Sequence, residues 1–336
     1  MRAATSAMKV SPSLIYRNFK SGKLKRHICP LKPLLTDENK KARVQFCLSI
    51  LEEDRLPHDP TFKNMYNMVH FDEKWFNMTR KNEKFYFLSD EEEPYQTCKS
   101  NNFVTKVIFF AGIARPRFDD EGNETFSEKI GIFPFVTRVS AKRSSVNRAA
   151  GIIETKAMTS VKRDTVRPVI INNVVPVILD KCPRDDVMAT IVIRQDNAKT
   201  HIDPNDREFR ETIQQSGFNI QIRCQPPNSP DLLNVLDLGF CRAIDSLKYQ
   251  EAPRTTEEVL IVLEKAYETF SSKSSNNIFL TLQSCMKAIM EVRGGNNYKI
   301  PHMKKSVLER SGELPIQLKC DVQLYKDVIM DMIFEM

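Results

Sequence analysis

Between residues 68 and 136 the apolar positions come in short runs separated by polar or Gly/Pro stretches, and beyond residue 160 stretches at helical spacing alternate with further short runs. MVHFDEKWFNM, KFYFLS, KVIFFAGIA and KIGIFPFV are rich in β-branched and aromatic residues, the pattern of an antiparallel meander. VRPVIINNVVPVILDKC predicts a helix from about Val169, kinked at Pro176. ATIVIRQDN has the pattern of a buried strand ending in polar residues, and DPNDREFRETIQQSG predicts a helix. FNIQIRC alternates as a further strand. After the PPNSP loop, VLDLGFCRAIDSLKYQ sets Leu236, Phe240, Ile244 and Leu247 on one face of a helix.

Three strands, a helix, a strand, a helix, a strand and a helix make an α/β layout in which helices pack on a mixed sheet, the order of a ribonuclease-H-like fold. Past Pro253, TTEEVLIVLEKAYETF and NNIFLTLQSCMKAIMEV predict two amphipathic helices, a C-terminal helical appendage. Ahead of the sheet, residues 3–8 can close one helix and Lys9-Val10 can turn. Ser11-Pro12 offers an N-cap and first-turn pair for a second helix. There Ile15 and Phe19 share a face, leaving Tyr16, Arg17, Asn18 and Lys20 for a DNA groove, as in a partial helix-turn-helix. Ser21-Gly22 stops this helix, and Lys23, Lys25 and Arg26 of the KLKRH strip suit phosphate contact or nuclear import. Thr36 caps a linker helix with an apolar stripe of Val44, Cys47, Leu48 and Leu51, and Pro57 and Pro60 mark its end. The expected division is 1–30, a residual helix-turn-helix; 31–60, a linker helix; 61–253, the catalytic domain; and 254–336, the helical region.

Charge sharpens this division. The chain carries a net +7, yet residues 1–45 alone hold eleven Lys/Arg against Asp37 and Glu38, so the remainder is slightly acidic. A basic front joined to a separate body is what a nucleic-acid-binding arm shows, because phosphate contacts by Lys and Arg gain from counterion release; a solvated basic tail would look the same. No apolar run reaches the roughly 18 residues of a spanning helix, and the first twenty residues do not read as a secretory signal, so the chain is expected inside the cell with no membrane partner. Its eight cysteines lie no closer than 17 apart, which leaves no CxxC half-site for zinc and suggests reduced, mostly buried thiols.

Three acids stand where the sheet should expose its edge. Asp72 follows Met68-Val69-His70-Phe71, Asp196 follows Ile191-Val192-Ile193-Arg194-Gln195, and Asp237 lies near the start of the helix after the last strand. A carboxylate closing a buried strand is costly unless paired or metal-bound. Phosphodiester cleavage needs hard cations on oxygen ligands, which such residues supply. Taken singly, each acid would more often be a turn or cap residue than a metal ligand.

The local sequence is more specific. HFDEKWF, RQDNAKTH and QPPNSPDLLNVLDLGF resemble, in this order, the three catalytic blocks of the plant mariner-like element transposases. KVSPSLIYRNFKSGKLKRH resembles that family's second helix-turn-helix, LTDENKKARVQFCLSIL its linker helix and YKIPHMKKSVLERSGELP its C-terminal region. The resemblance implies a DNA transposase that cuts at inverted repeats and rejoins the element into new DNA, using two Mg²⁺ or Mn²⁺ ions. It also implies a homodimer acting on double-stranded DNA in the nucleus. Carried over, Asp72 would bind both ions, and Asp196 and Asp237 one each. Glu73 would be a salt-bridged neighbour. Trp75 is either a core residue or a DNA-stacking surface, with burial the expectation. Asn197, Lys199 and His201 are candidates to contact the scissile phosphate, with Lys199 counted among the DNA-binding residues; His201 could equally make a structural hydrogen bond. Asp231 competes with Asp237 for the third position, although an acid in an NSPDL turn is commonly a cap.

Two departures from the family pattern stand out. PDLLNVLD has one Leu more than the resembled block, which is expected to be absorbed between Pro230 and Val235, since moving the helix by one residue would turn Asp237 by about 100°. The family also carries another helix-turn-helix ahead of this one, so DNA selectivity and transposition by this chain are expected to be impaired. A DNA-binding remnant recruited by a host is the alternative function. A ribonuclease acting on RNA–DNA hybrids fits the basic helix-turn-helix poorly.

Overall fold

The structure is a computed structural model that describes residues 11–23, 32–77, 106–144, 149–183, 190–229, 233–251, 253 and 255–334. The chain divides into two compact units, Met1–Leu34 and Leu35–Met336. In the first, helix α1 (Pro12–Lys20) starts where Ser11 and Pro12 predict: the Leu14 amide donates to Ser11 Oγ at 3.3 Å. Tyr16, Arg17, Lys20 and Lys23 are exposed, and Asn18 is half-buried, donating to the Leu14 carbonyl at 3.0 Å. Lys25, Arg26 and the helix expected at 3–8 lie outside the described residues.

The second unit is built on a five-stranded sheet in the order β5-β2-β1-β8-β9. Its members are β1 (Met68–Asn77), β2 (Lys106–Ala114), β5 (Lys129–Pro134), β8 (Ile191–Gln195) and β9 (Ile220–Cys224). β1 runs antiparallel to β2 and parallel to β8, and β9 continues the parallel side. All five residues of β8 and eight of nine in β2 are buried, which is why β2 reads as a nearly unbroken apolar run and β8 as an apolar run that ends in buried Arg194 and Gln195.

Alternation along β1 divides the interior in two, because successive strand side chains point to opposite faces. Met68 and Phe76 enter a core with Val44 and Cys47 of α2 (Asp37–Ser49), while Val69 and Phe71 enter another with Val166 and Ile178. Helices α3 (Arg163–Val169), α4 (Val175–Lys181) and α5 (Arg207–Ser216) cover the second core. The first is closed by α6 (Cys241–Glu251), α7 (Thr256–Thr269), α8 (Ser272–Glu291) and α10 (Val322–Phe334), with the short α9 (Lys305–Arg310) preceding α10. The linker helix α2, capped by Thr36 as expected, thus packs into the body, and the appendage supplies a large part of the first core.

Where sequence and structure differ, the reasons are local. The helix expected from Val169 begins at Arg163 and passes through a π turn at Ile170–Val174 into α4. Pro176 then falls in the first turn of α4, where an N–H is dispensable, and the Val175 amide reaches back to the Ile170 carbonyl. Two ribbons escape the sequence pattern, β3 (Arg117–Phe118) with β4 (Glu124–Phe126), and β6 (Val136–Ser140) with β7 (Ile153–Ala157). Both are short and mostly solvent-facing, so they carry little apolar alternation. The KFYFLS segment lies outside the described residues.

One glycine fixes the strand that carries the first acid. Gly112 pairs with Phe71, and a Cβ added there would lie 2.0 Å from the Phe71 ring, which stacks on Phe110. Its carbonyl accepts from the Tyr267 hydroxyl at 2.6 Å, and that hydroxyl accepts from the Gly131 amide at 2.9 Å, tying α7 across the bulge between β2 and β5. Gly112→Ala should therefore destabilise by about 1–3 kcal/mol, the usual cost of overpacking a filled core. A denaturation midpoint within error of the parent protein would refute this.

Among the described residues Cys47, Cys182, Cys224, Cys241, Cys285 and Cys320 are free thiols, and Cys47, Cys241, Cys285 and Cys320 are buried. Among the described residues no helix is long and apolar enough to cross a membrane.

Candidate active site

The parallel ladder between β1 and β8 ends at the pair His70 and Arg194. Two residues further along each strand stand Asp72 and Asp196, so both carboxylates lie where the neighbouring strands part. The crevice beyond the carboxyl ends of parallel strands is where open α/β sheets bind ligands. Asp72 still pairs across to Ala111 of β2, which holds its backbone rigid. Asp237 arrives from the chain beyond β9, in a π turn at Leu236–Phe240 that leads into α6. Buried Asn234 aims that turn: its amide donates to the Phe71 carbonyl at 3.4 Å and its carbonyl oxygen accepts the Leu236 amide at 3.1 Å. Leu236 is buried in the first core and Asp237 faces the strand, so the register expected for the extra Leu holds at Asp237. Residues 230–232, where it was expected to be absorbed, and with them Asp231, lie outside the described residues.

Electrostatics tie the acids together. Burial pushes the Asp72 carboxyl well above the usual carboxylate range, and Asp237, Glu73 and Asp196 push it in the same direction. Lys74, on the same face of β1 two residues on, places its ammonium 3.2 Å from Asp237 Oδ1. Burial would lower the Lys74 pKa, but the Asp237 charge and hydrogen bond, together with Cys241 and Asp72, outweigh it and the pKa is raised.

On the other side of β1, buried His201 bridges two acids. Its Nδ1 lies 2.7 Å from Asp196 Oδ1 and its Nε2 contacts Glu73 Oε2. Burial alone would lower the imidazole pKa, yet the hydrogen bonds to Asp196 and Glu73 raise it to about 10, so His201 is a cation at neutral pH. Burial also favours the neutral form of Asp196, but bonds from His201 and from the Ala198 amide, 2.7 Å from Oδ1, lower its pKa. Asp72, Glu73 and His201 bring one potential ligand atom each within 4.8 Å of one another.

The acids share one feature. Asp72 accepts the Glu73 amide on Oδ1 at 2.9 Å, Asp196 is engaged through Oδ1, Asp237 through Oδ1 and Glu73 through Oε2. Glu73 Oε1 is buried without a hydrogen-bond partner. Four carboxylates that each commit one oxygen to the protein, with repulsion concentrated on Asp72, fit a hard cation held by oxygen.

The remaining sequence candidates are dispersed around this group. Lys199 is exposed in the loop after Asp196, and Asn197 donates from Nδ2 to the Gln225 carbonyl, bracing that loop against the end of β9. Trp75 departs from the expected burial. It is 40% exposed, with the Lys106 ammonium 3.9 Å from its ring centroid, at a point where β1 has outrun β8. Sequence reasoning passed over Lys74 as a partner of Asp237. The signal was available, since residues 72 and 74 of one strand must share a face.

No family model matches the chain, and no curated protein sequence does so. Among solved structures, the chain is similar to a Mos1 transposase paired-end complex with the left transposon end, with a TM-score of 0.53 and 15% identity over 88% of this chain and 74% of that one. A pre-cleavage Mos1 transpososome gives 0.54 and 14% over the same shares. A Mos1 strand transfer complex gives 0.53 and 15% over 88% and 73%. At such identity the likeness establishes the fold, the ribonuclease-H-like mixed sheet flanked by helices that the element order predicts.

Proposed function

We propose that this chain is a transposase of the mariner-like kind, which cleaves DNA at transposon ends and joins the freed strand to new DNA. The observation that carries the reading is the placement of Asp72 and Asp196 just past the last pair of two adjacent parallel strands, with Asp237 held 3.2 Å from Lys74 on the Asp72 face of β1 and both Asp237 and Asp196 raising the Asp72 carboxyl's pKa. The catalytic blocks resembled in sequence and the shared fold with Mos1 transposase complexes add to it.

Asp72, Asp196 and Asp237 would hold two divalent ions, Mg²⁺ or Mn²⁺, with Asp72 common to both. Such ions supply activation of an attacking oxygen and stabilisation of the leaving one. The chain's own groups do the rest. His201 fixes the Asp196 carboxylate through Oδ1, and Lys74 does the same for Asp237. Exposed Lys199 and the Trp75–Lys106 pair offer positive charge and a stacking surface to the strand being cut. α1, with Tyr16, Arg17 and Lys20 exposed, is the element to enter a duplex groove. Double-stranded DNA is accordingly the partner, bound by a homodimer that pairs two ends, and the nucleus is the place of action.

The test is a nicking assay on duplex DNA carrying the element's ends, with Mg²⁺, with Mn²⁺ and with chelator. Cleavage should need the metal and vanish in Asp196→Ala and in Asp237→Ala while both variants fold. Cleavage that survives in Asp237→Ala but is lost in Asp231→Ala would reassign the third ligand. A wild-type chain that binds DNA and never nicks it would be the non-transposing remnant.

A further inference from the structure

Residues 138–163 carry seven Lys/Arg against the single acid Glu154, inside a body that is otherwise acidic once the basic front is set aside. The structure shows what this stretch builds. As far as Ala157 it belongs to the β6–β7 ribbon, with Val136 paired to Ala157 and Ser140 to Ile153. The base is anchored. Val136 and Ala157 pack against the first core, the Phe135 amide donates to the Ile108 carbonyl at 2.9 Å, and the Thr155 amide donates to Glu257 on α7 at 3.2 Å. Beyond that base the ribbon is open to solvent: Arg138, Lys142 and Arg143 are exposed, and so are Val139, Ile152 and Ile153, the last at 68%. Among the described residues, neither Arg138 nor Lys142 has an ion-pair partner, whereas Lys156 pairs with Glu154 at 3.3 Å.

Register fixes where the ribbon springs from. Asp72 pairs with Ala111, and Ala111 with Ile132 of β5; Lys74 pairs with Phe109, and Phe109 with Pro134. β5 therefore runs parallel to β1 and ends level with Lys74. The ribbon leaves the sheet at the same edge as the proposed active site, two strands away.

We propose that the β6–β7 ribbon is a duplex-binding surface beside the cleavage site, holding the phosphate backbone through Arg138, Lys142 and Arg143. The proposal rests on the transposase reading for its placement, since DNA seated at Asp72 must leave along this sheet edge. Duplex DNA is the occupant that the charge selects. A second copy of an otherwise acidic body could meet the same charge, but the exposed isoleucines beside the cations also suit contact with base edges and thymine methyls, and a two-stranded ribbon fits the major groove.

The experiment is a binding titration of the full chain with a labelled random-sequence duplex across a series of salt concentrations. Random sequence isolates the phosphate term. R138Q/K142Q should bind more weakly at low salt, and its slope of log affinity against log salt should fall by about 1.8, since each lost phosphate contact contributes about 0.9. R310Q/K326Q, which removes two exposed charges elsewhere on the body, should leave the slope unchanged. An unchanged slope in R138Q/K142Q overturns the proposal, as does an equal fall in both pairs, which would reflect net charge alone. A change in sedimentation of R138Q/K142Q without a change in slope also overturns it, in favour of contact between copies. Nicking by the wild-type chain separates this result from the function above. A reduced slope without any metal-dependent nicking supports the ribbon while the enzymatic reading fails, and intact nicking with an unchanged slope removes the ribbon alone.

Discussion

Asp72→Asn is expected to abolish metal-dependent DNA cleavage and, without divalent ions, to raise the melting temperature. The two effects have one origin. Asp72 is half-buried beside Asp237, Glu73 and Asp196, so its charge is unfavourable in the folded protein until a cation joins the group. Asn keeps the shape and removes the charge. The same change deletes the one carboxylate proposed to serve both ions. Losing a few kcal/mol of transition-state stabilisation, at about 1.36 kcal/mol per tenfold, lowers the rate by at least ~10³. Thermal melts with and without Mg²⁺ or Mn²⁺ provide a readout separate from catalysis. Ligand at a hundred times its dissociation constant stabilises a folded protein by about 2.7 kcal/mol, so the wild-type chain should gain stability on adding metal and Asp72→Asn should not. An Asp72→Asn protein that melts below the parent in chelator, or one that still gains from metal as the parent does, would show that Asp72 is a structural acid.

How much of this was legible in the sequence follows from which physical signals are local. β2 and β8 announce themselves because burial on both faces leaves a run of apolar residues, and the segment from Leu236 into α6 because Leu236, Phe240 and Ile244 are all buried at helical spacing. The β6–β7 ribbon did not, since a strand pair open to solvent needs no apolar alternation. The π turn at Ile170–Val174 was also invisible, since it preserves helical periodicity to within one residue, and so was the kink at Gly239, whose extended φ of 172° interrupts the helical run between Leu236 and Phe240. At the site, three isolated acids said little, and the sequence blocks around them carried the assignment. Partners across the fold could not be read. That Glu73 pairs with His201, 128 positions away, depends on β1 outrunning β8 so that both sides of its end face the same crevice. Trp75 is exposed on the same stretch of β1. The expectation of burial followed residue type and had no access to where the neighbouring strand stops.

His201→Ala should be the most damaging single substitution for folding at this end of the sheet, by about 3 kcal/mol. His201 is 2% exposed and Glu73 15%, whereas Asp196, at 39%, keeps contact with water. Removing the imidazolium therefore strands Glu73, whose Oε1 already lacks a partner, while Asp196 stays solvated. Breaking one side of a buried ion pair typically costs about 3–5 kcal/mol, and partial solvation of this pair argues for the lower end. Glu73→Gln in the same protein should recover much of that loss, because a neutral amide needs no counter-charge, whereas Glu73→Gln alone should destabilise. The coupling between the two positions should be of order 2 kcal/mol in a double-mutant cycle. Cleavage behaves differently. The imidazole is also the group that holds Asp196 Oδ1, a positioning role that an amide at residue 73 cannot replace, so the double variant should fold and still cleave poorly. Recovery of both stability and cleavage in the double variant would mean that His201 serves only to neutralise Glu73. A His201→Ala protein within about 0.5 kcal/mol of the parent would remove the buried pair from the account of what holds this end of β1.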